Sequence, residues 1–133
     1  MTDVRITNSA DAIVKYRGGI VLIERLARLP GIAFPGGKQE PGELLSGTIL
    51  REIPEEVGLS FTIESVLGVY ADPARDPRGH YVSVVFIGTG TGTLRAEPGK
   101  TRPFIVSEHD LPGYADRMIL DHGSMARDYL SFK

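Results

Sequence analysis

The sequence predicts a single α/β domain over residues 1–133, and three observations predict it. A chain of 133 residues with 41% apolar and 24% charged side chains suits one globular core. Runs rich in β-branched residues lie on both sides of one strongly periodic helical segment. No repeat or interdomain linker interrupts the chain. With 15 Lys and Arg against 17 Asp and Glu, the formal charge is −2, which leaves no broad basic face for nucleic acid. There is no cysteine, so disulfide scaffolds, thiol nucleophiles and Cys-based zinc sites are excluded. Residues 1–11 contain polar Thr2, Asp3, Arg5, Asn8 and Ser9 where a signal peptide would be basic and then apolar, and no run approaches the ~18 apolar residues of a membrane span. The expectation is a soluble, cytoplasmic domain.

The elements follow in order. Residues 12–16 and 20–23 are short β-rich runs around Arg17-Gly18-Gly19, a hairpin signal. Residues 26–42 hold Pro30, Gly31, Pro35, Gly36, Gly37, Pro41 and Gly42, which predicts a shaped loop without regular elements. From Glu43 the pattern changes: Leu45, Ile49, Ile53 and Val57 recur every four residues, lining one side of a helix that Gly58 stops. Residues 61–70 and 81–87 read as strands joined by an exposed connection rich in Asp, Pro and Arg. The Gly-Thr patch over 88–93 has Thr93 where a dinucleotide fingerprint needs its third glycine, and reads as strand end and turn. Residues 102–106 form a last strand, and 122–130, opening after an Asp121 cap with Met125 and Tyr129 four apart, a closing helix.

Chemistry concentrates on the first helix. Glu52, Glu55 and Glu56 stand at offsets zero, three and four, so three carboxylates crowd one face while the apolar stripe occupies the other. Each like-charged pair costs about 0.2–0.5 kcal/mol in an isolated helix, a cost removed when a cation sits among them. Ligation by oxygen alone suits a hard ion, Mg²⁺ first, then Mn²⁺ or Ca²⁺. Arg51, four residues before Glu55, can hold that carboxylate in place. A solvated acidic helix face is the plainer alternative. His80, His109 and His122 lack metal-like spacing, which argues against zinc.

From Gly37 the chain reads Gly, five residues, Glu43, seven residues, Arg51, Glu52, Ile53, one residue, Glu55, Glu56, one residue, Gly58 and Leu59. This is the complete signature of the Nudix box, so the protein resembles the Nudix hydrolases. With frequencies of roughly 5–7% per fixed position, a chance match is on the order of 10⁻⁷. The resemblance implies an α/β/α sandwich with a mixed central sheet. It also implies divalent-metal-dependent hydrolysis of a nucleoside diphosphate linked to another group, with Mg²⁺, or Mn²⁺, as cofactor. Glu52, Glu55, Glu56 and the Gly37 carbonyl would be metal ligands, while Arg51 and Glu43 orient the carboxylates. Such chemistry needs metal to neutralise diphosphate oxygens, activate a water and position an in-line displacement. One position departs from expectation. Pro54 removes the backbone donor for Leu50, at about 3 kcal/mol in a regular helix interior, so either the helix kinks or Leu50 finds another donor. The metal cluster is expected to survive it.

Substrate choice belongs to loops outside the box. Residues 70–80 look like the segment of Nudix proteins in the ADP-ribose pyrophosphatase group, and Arg75, Arg78 and His80 suit phosphate or ribose oxygens. A plain turn with Arg–Asp pairs is the alternative. Phe34 or Tyr16 can stack on a base or belong to the core. For the general base, a box glutamate stands beside two later candidates, Glu97 and Glu108. The resulting expectation is a nucleotide-sugar pyrophosphatase releasing AMP and a sugar phosphate, without nucleic-acid or membrane partners. A house-cleaning hydrolase of nucleoside triphosphates, which would release pyrophosphate, is the second reading. A silent nucleotide-binding Nudix domain is the third, favoured by Pro54 and opposed by the intact acidic positions. A homodimer is common in the family and fits the compact chain.

Overall fold

The structure, a computed structural model, describes residues 5–132; the stretch read above as lacking a leader begins at residues 1–4, which lie outside them. Its scaffold is a mixed seven-stranded sheet built around β1 (Ile6–Tyr16). On one edge β1 runs parallel to β6 (His80–Gly92), from Ile6 opposite His80 to Lys15 opposite Thr89. The other edge is divided between two antiparallel partners. Ser9, Ala10 and Asp11 pair with β4 (Gly36–Lys38), whereas Lys15 and Tyr16 pair with β2 (Gly19–Arg25). Strand β2 also carries β3 (Gly31–Ala33) and β7 (Thr101–Val106), and β5 (Leu59–Tyr70) closes the far edge on β6. Arg17 and Gly18, with φ of 49° and 78°, make the two-residue hairpin turn, whose twist matches that of the flanking strands.

Alternation along β1 sorts the core into two layers. Ala10, Ala12, Val14 and Tyr16 pack with Ile49, Ile53 and Val57 of α1 (Leu45–Val57). Ile13 faces the other way, packing with Leu111 and Ala115 of α2 (Leu111–Ala115) and Met125 and Ala126 of α3 (His122–Ser131). The result is an α/β/α sandwich, the fold class expected. Ile49, Ile53 and Val57 are fully buried, and each contributes about 1.5–3 kcal/mol of hydrophobic stabilisation.

Several boundaries differ from the expectations, each for a physical reason. The helix starts at Leu45, two residues after Glu43, because the backbone at Leu44 is still extended, with ψ of 149°. It passes through Pro54 without a break and ends where Gly58, at φ 81°, donates its N–H to the Pro54 carbonyl at 3.1 Å. Leu50, whose carbonyl gets no donor from Pro54, lies on the exposed side of the helix. The Gly-Pro loop contains β3 and β4, each three residues long and held by pairing with longer strands. The Thr-Gly patch is strand through Gly92, since the absent side chain of Gly88 makes room for the Phe61 ring, 2.8 Å from where a Cβ would stand. Strand β1 begins at Ile6, and α2 has no periodic signal in so short a segment. Asp121 makes no side-chain cap bond to α3; its carboxylate is taken by Arg75 instead.

Candidate active site

The polar face of α1 meets the bare backbone of β4. A Cβ on Gly37 would lie 2.2 Å from Glu52 Cδ, so only glycine lets the carboxylate pack there. Beside it, the Gly36 N–H donates to Glu56 Oε1 at 2.9 Å. Arg51 is the hub. Its Nε and Nη2 donate to the two Glu43 oxygens at 2.7 and 3.1 Å, its Nη1 to Glu52 at 2.7 Å and Glu55 at 3.3 Å, and Nη2 also to the Lys38 carbonyl at 3.1 Å. Glu43 accepts in addition from Thr48 Oγ1 at 2.8 Å and the Glu40 N–H at 3.0 Å.

These contacts divide the acids electrostatically. The hydrogen bonds from Arg51 first, and those from Glu40 and Thr48 after it, hold the Glu43 carboxyl down at about 2. Glu52 moves the other way, raised by burial. Glu56, 8% exposed, is pushed up to about 8 by desolvation, with Glu52 and Asp11 adding like charge. A buried carboxylate crowded by others and a set of purely oxygen donors suit a hard divalent ion. Glu52, Glu55, Glu56 and the Gly37 carbonyl are the groups that could hold it. Among the described residues no three acidic or histidine side chains are gathered closely enough to ligate one ion together; the Arg51 guanidinium bridges Glu52 and Glu55 instead. Pro54 has not turned Glu55 out of reach of that arginine.

The other side of β4 opens on a cavity of about 190 Å³, edged by Gly36, Gly37 and Lys38 and reached by Asp11, Arg75, Arg78 and His122. Two of the substrate candidates therefore line it, but their guanidinium groups are engaged. Arg75 makes a two-pronged pair with Asp121 at 2.7 and 2.8 Å, and Arg78 binds Asp76 at 2.7 Å. His80 opens β6 and is not part of the lining. Phe34 is buried and stacks on His122, and Tyr16 belongs to the core with its hydroxyl on the Gly92 carbonyl at 2.6 Å. Glu97 shares a second cavity with Glu56, Arg28 and Lys100, whereas Glu108 accepts the Tyr129 hydroxyl at 2.5 Å.

Sequence reasoning missed Asp11, Arg25, Arg28, Lys38 and the cavity role of His122. Asp11 carries a readable signal, a charge two residues before Ile13 on one face of a buried strand. Lys38 follows Gly37 directly. Nothing local marks the others.

A model of the NUDIX domain matches residues 6–129 of the chain. The chain is 37% identical over 128 residues to the ADP-ribose pyrophosphatase of Methanocaldococcus jannaschii, covering 94% of this chain and 73% of that protein. Its fold is similar to a bifunctional NMN adenylyltransferase/ADP ribose pyrophosphatase from Francisella tularensis, solved with AMP and a manganese ion. The TM-score is 0.86 at 23% identity, over 98% of this chain and 43% of that one. This chain thus spans less than half of that larger protein. A MutT NUDIX hydrolase from Burkholderia pseudomallei superposes with a TM-score of 0.77 at 23% identity, over 92% and 95% of the two chains.

Proposed function

The chain belongs to the NUDIX domain family, and from that premise we propose that it hydrolyses the diphosphate linkage of a nucleoside diphosphate sugar, ADP-ribose first, to AMP and a sugar phosphate. The observation that carries this reading is the convergence of Glu52 and Glu56 on the bare backbone of Gly36 and Gly37, beside a cavity rich in cations. The name of the 37% identical archaeal relative supports the substrate.

Glu52, Glu55, Glu56 and the Gly37 carbonyl would hold the metal, Mg²⁺ or Mn²⁺. When bound, the ion neutralises diphosphate oxygens and lowers the pKa of a water. The chain's own groups do the rest. Glu43 keeps its charge and fixes Arg51, which orients Glu52 and Glu55. Arg28 and Lys38 line the cavity and pair with no carboxylate among the described residues, so they remain available to phosphate oxygens, whereas Arg25, also in the lining, donates from Nε and Nη2 to the Arg28 and Leu29 carbonyls. Glu97 is the later-loop acid nearest this chemistry, sharing a cavity with Glu56 and adding to the charge felt at Glu52. Arg75 and Arg78 shape the cavity through their pairs with Asp121 and Asp76.

The test is phosphate release, through a coupled phosphatase, from ADP-ribose, other nucleoside diphosphate derivatives and nucleoside triphosphates with Mg²⁺ or Mn²⁺, beside a Glu55→Gln control. AMP formed from ADP-ribose and lost in the control supports the reading. Pyrophosphate release from triphosphates instead would overturn the substrate and keep the metal chemistry.

A further inference from the structure

The cavity beyond β4 holds two polar atoms that the hydrolysis does not use. One belongs to His122, at the start of α3 and 5% exposed. The Phe34 N–H donates to its Nδ1 at 2.9 Å, and the Phe34 ring lies stacked on it, 6.0 Å away at 20°. Burial keeps the imidazole neutral by lowering its pKa. With Nδ1 occupied as an acceptor, the single proton resides on Nε2. Nε2 makes no hydrogen bond to the described residues, yet no fully buried side-chain nitrogen or oxygen among them lacks a partner. It therefore opens on the cavity that His122 lines.

The second atom is Asp11 Oδ1. Asp11 Oδ2 accepts the Ser83 hydroxyl at 2.5 Å, while Oδ1 accepts no bond from the described residues and the carboxylate lines the same cavity. The charge of Asp11 is felt at His122. The pair thus offers one fixed donor and one fixed acceptor between the apolar walls of Ile23, Ala33 and Ile119. A sugar hydroxyl turns to suit any neighbour and has no need of two fixed partners of opposite sense. A flat heterocycle with a ring nitrogen beside an amino group does need them, and its faces suit apolar walls.

Resting on the adenosine-containing substrate proposed above, we infer that this cavity seats the nucleobase and reads its edge, His122 Nε2–H donating to adenine N1 and Asp11 Oδ1 accepting from the 6-amino group. The Arg75–Asp121 pair positions this reader from behind, since Asp121 adjoins His122 and ties α3 to the loop before β6.

Calorimetric titration with AMP, purine riboside 5′-monophosphate, which lacks the amino group, and 1-deaza-AMP, which lacks N1, tests the assignment atom by atom. Wild type should bind AMP about 10- to 100-fold more tightly than either analogue. Asp11→Ala should lose the preference over the first analogue and keep it over the second. His122→Asn, whose side-chain oxygen can still accept the Phe34 N–H, should do the reverse. Equal affinity of wild type for all three ligands, or no AMP binding, overturns the inference without recourse to a variant. A uniform loss in both variants across the three ligands also overturns it, because the residues then only shape the cavity. Hydrolysis of ADP-ribose is measured in parallel on wild type. Base reading without ADP-ribose cleavage would sink the proposed reaction alone, and cleavage without base reading would sink this inference alone.

Discussion

The two sides of β4 are built in opposite ways. Toward α1, acids drawn from residues 43–56 crowd around one arginine, and two of them are raised in pKa by burial and mutual repulsion. Toward the cavity, Asp11, Arg75, Arg78 and His122 arrive from separate parts of the chain, and each already has a partner: Ser83, Asp121, Asp76 and the Phe34 backbone. The first side crowds like charge together, which a cation bound there would relieve. The second anchors each side chain through one partner and leaves Asp11 Oδ1 and His122 Nε2 facing the cavity, a rigid template against which a ligand's shape can be compared. One strand of three residues separates an electrostatic task from a geometric one.

Perturbing either side should leave the other working, and the largest effect belongs to the acids. Glu56→Gln should lower kcat on the order of 10³-fold, an effect of the size that charge stabilisation by metal supplies, while KM stays nearly constant. Steady-state kinetics that showed a loss below about tenfold would move the chemistry away from α1. Gly37→Ala tests the seam itself. Its Cβ would strike the Glu52 carboxylate, and a displacement of about 1 Å there should cost about 10² in kcat with AMP binding retained.

On the cavity side the signature is stability and binding. Arg75→Ala removes a side chain only 4% exposed from its pair with Asp121, and should cost about 3 kcal/mol in urea denaturation by leaving a carboxylate unpaired. Replacing both partners together, Arg75→Met with Asp121→Leu, should recover much of that loss.

The smallest effects concern pH, and they run in opposite directions on the two sides. The folded pKa of Glu56, about 8, lies above its ordinary 4.5. The folded state therefore binds the extra proton between those values, and metal-free protein loses stability as pH rises from 4.5 to 8. Mg²⁺ added at pH 8 should raise the melting temperature more than at pH 5. The folded pKa of His122 lies below 6.5, so its contribution is complete above 6.5 and is lost as pH falls below that value. In His122→Asn that acid limb should flatten. A melting series that left both limbs unchanged would contradict the burial assigned to these groups.

The same contrast explains what could be read from the amino-acid sequence. Glu43, Arg51, Glu52, Glu55 and Glu56 lie within one helix and its approach, so helical spacing alone puts them on a common face. The sandwich was legible for a similar reason: the stripe of Leu45, Ile49, Ile53 and Val57 and the strand runs each announce one buried side. Strands β3 and β4 were not, because three residues are too few to show a period, and their place is set by pairing with β1 and β2. Asp11 and His122 meet only through the tertiary fold. The sequence singled out the segment holding Arg75 and Arg78 as a candidate, but spacing could not reveal that Asp121 and Asp76 engage both guanidinium groups.

The hydrogen bond from Ser83 to Asp11 spans 72 residues, and it rests on the parallel ladder between β1 and β6. A parallel pairing of such separation cannot zip outward from a tight turn; it must close a long loop before any contact rewards the closure. Helix α1 bears no such delay. During refolding, then, helical signal should return before the cavity exists, and the chain should pass through an interval in which it carries its acids but has no template to compare a ligand with. Stopped-flow circular dichroism set beside recovery of AMP binding would measure that interval directly, and simultaneous return of the two signals would show that β1 and β6 find each other as fast as the helix winds.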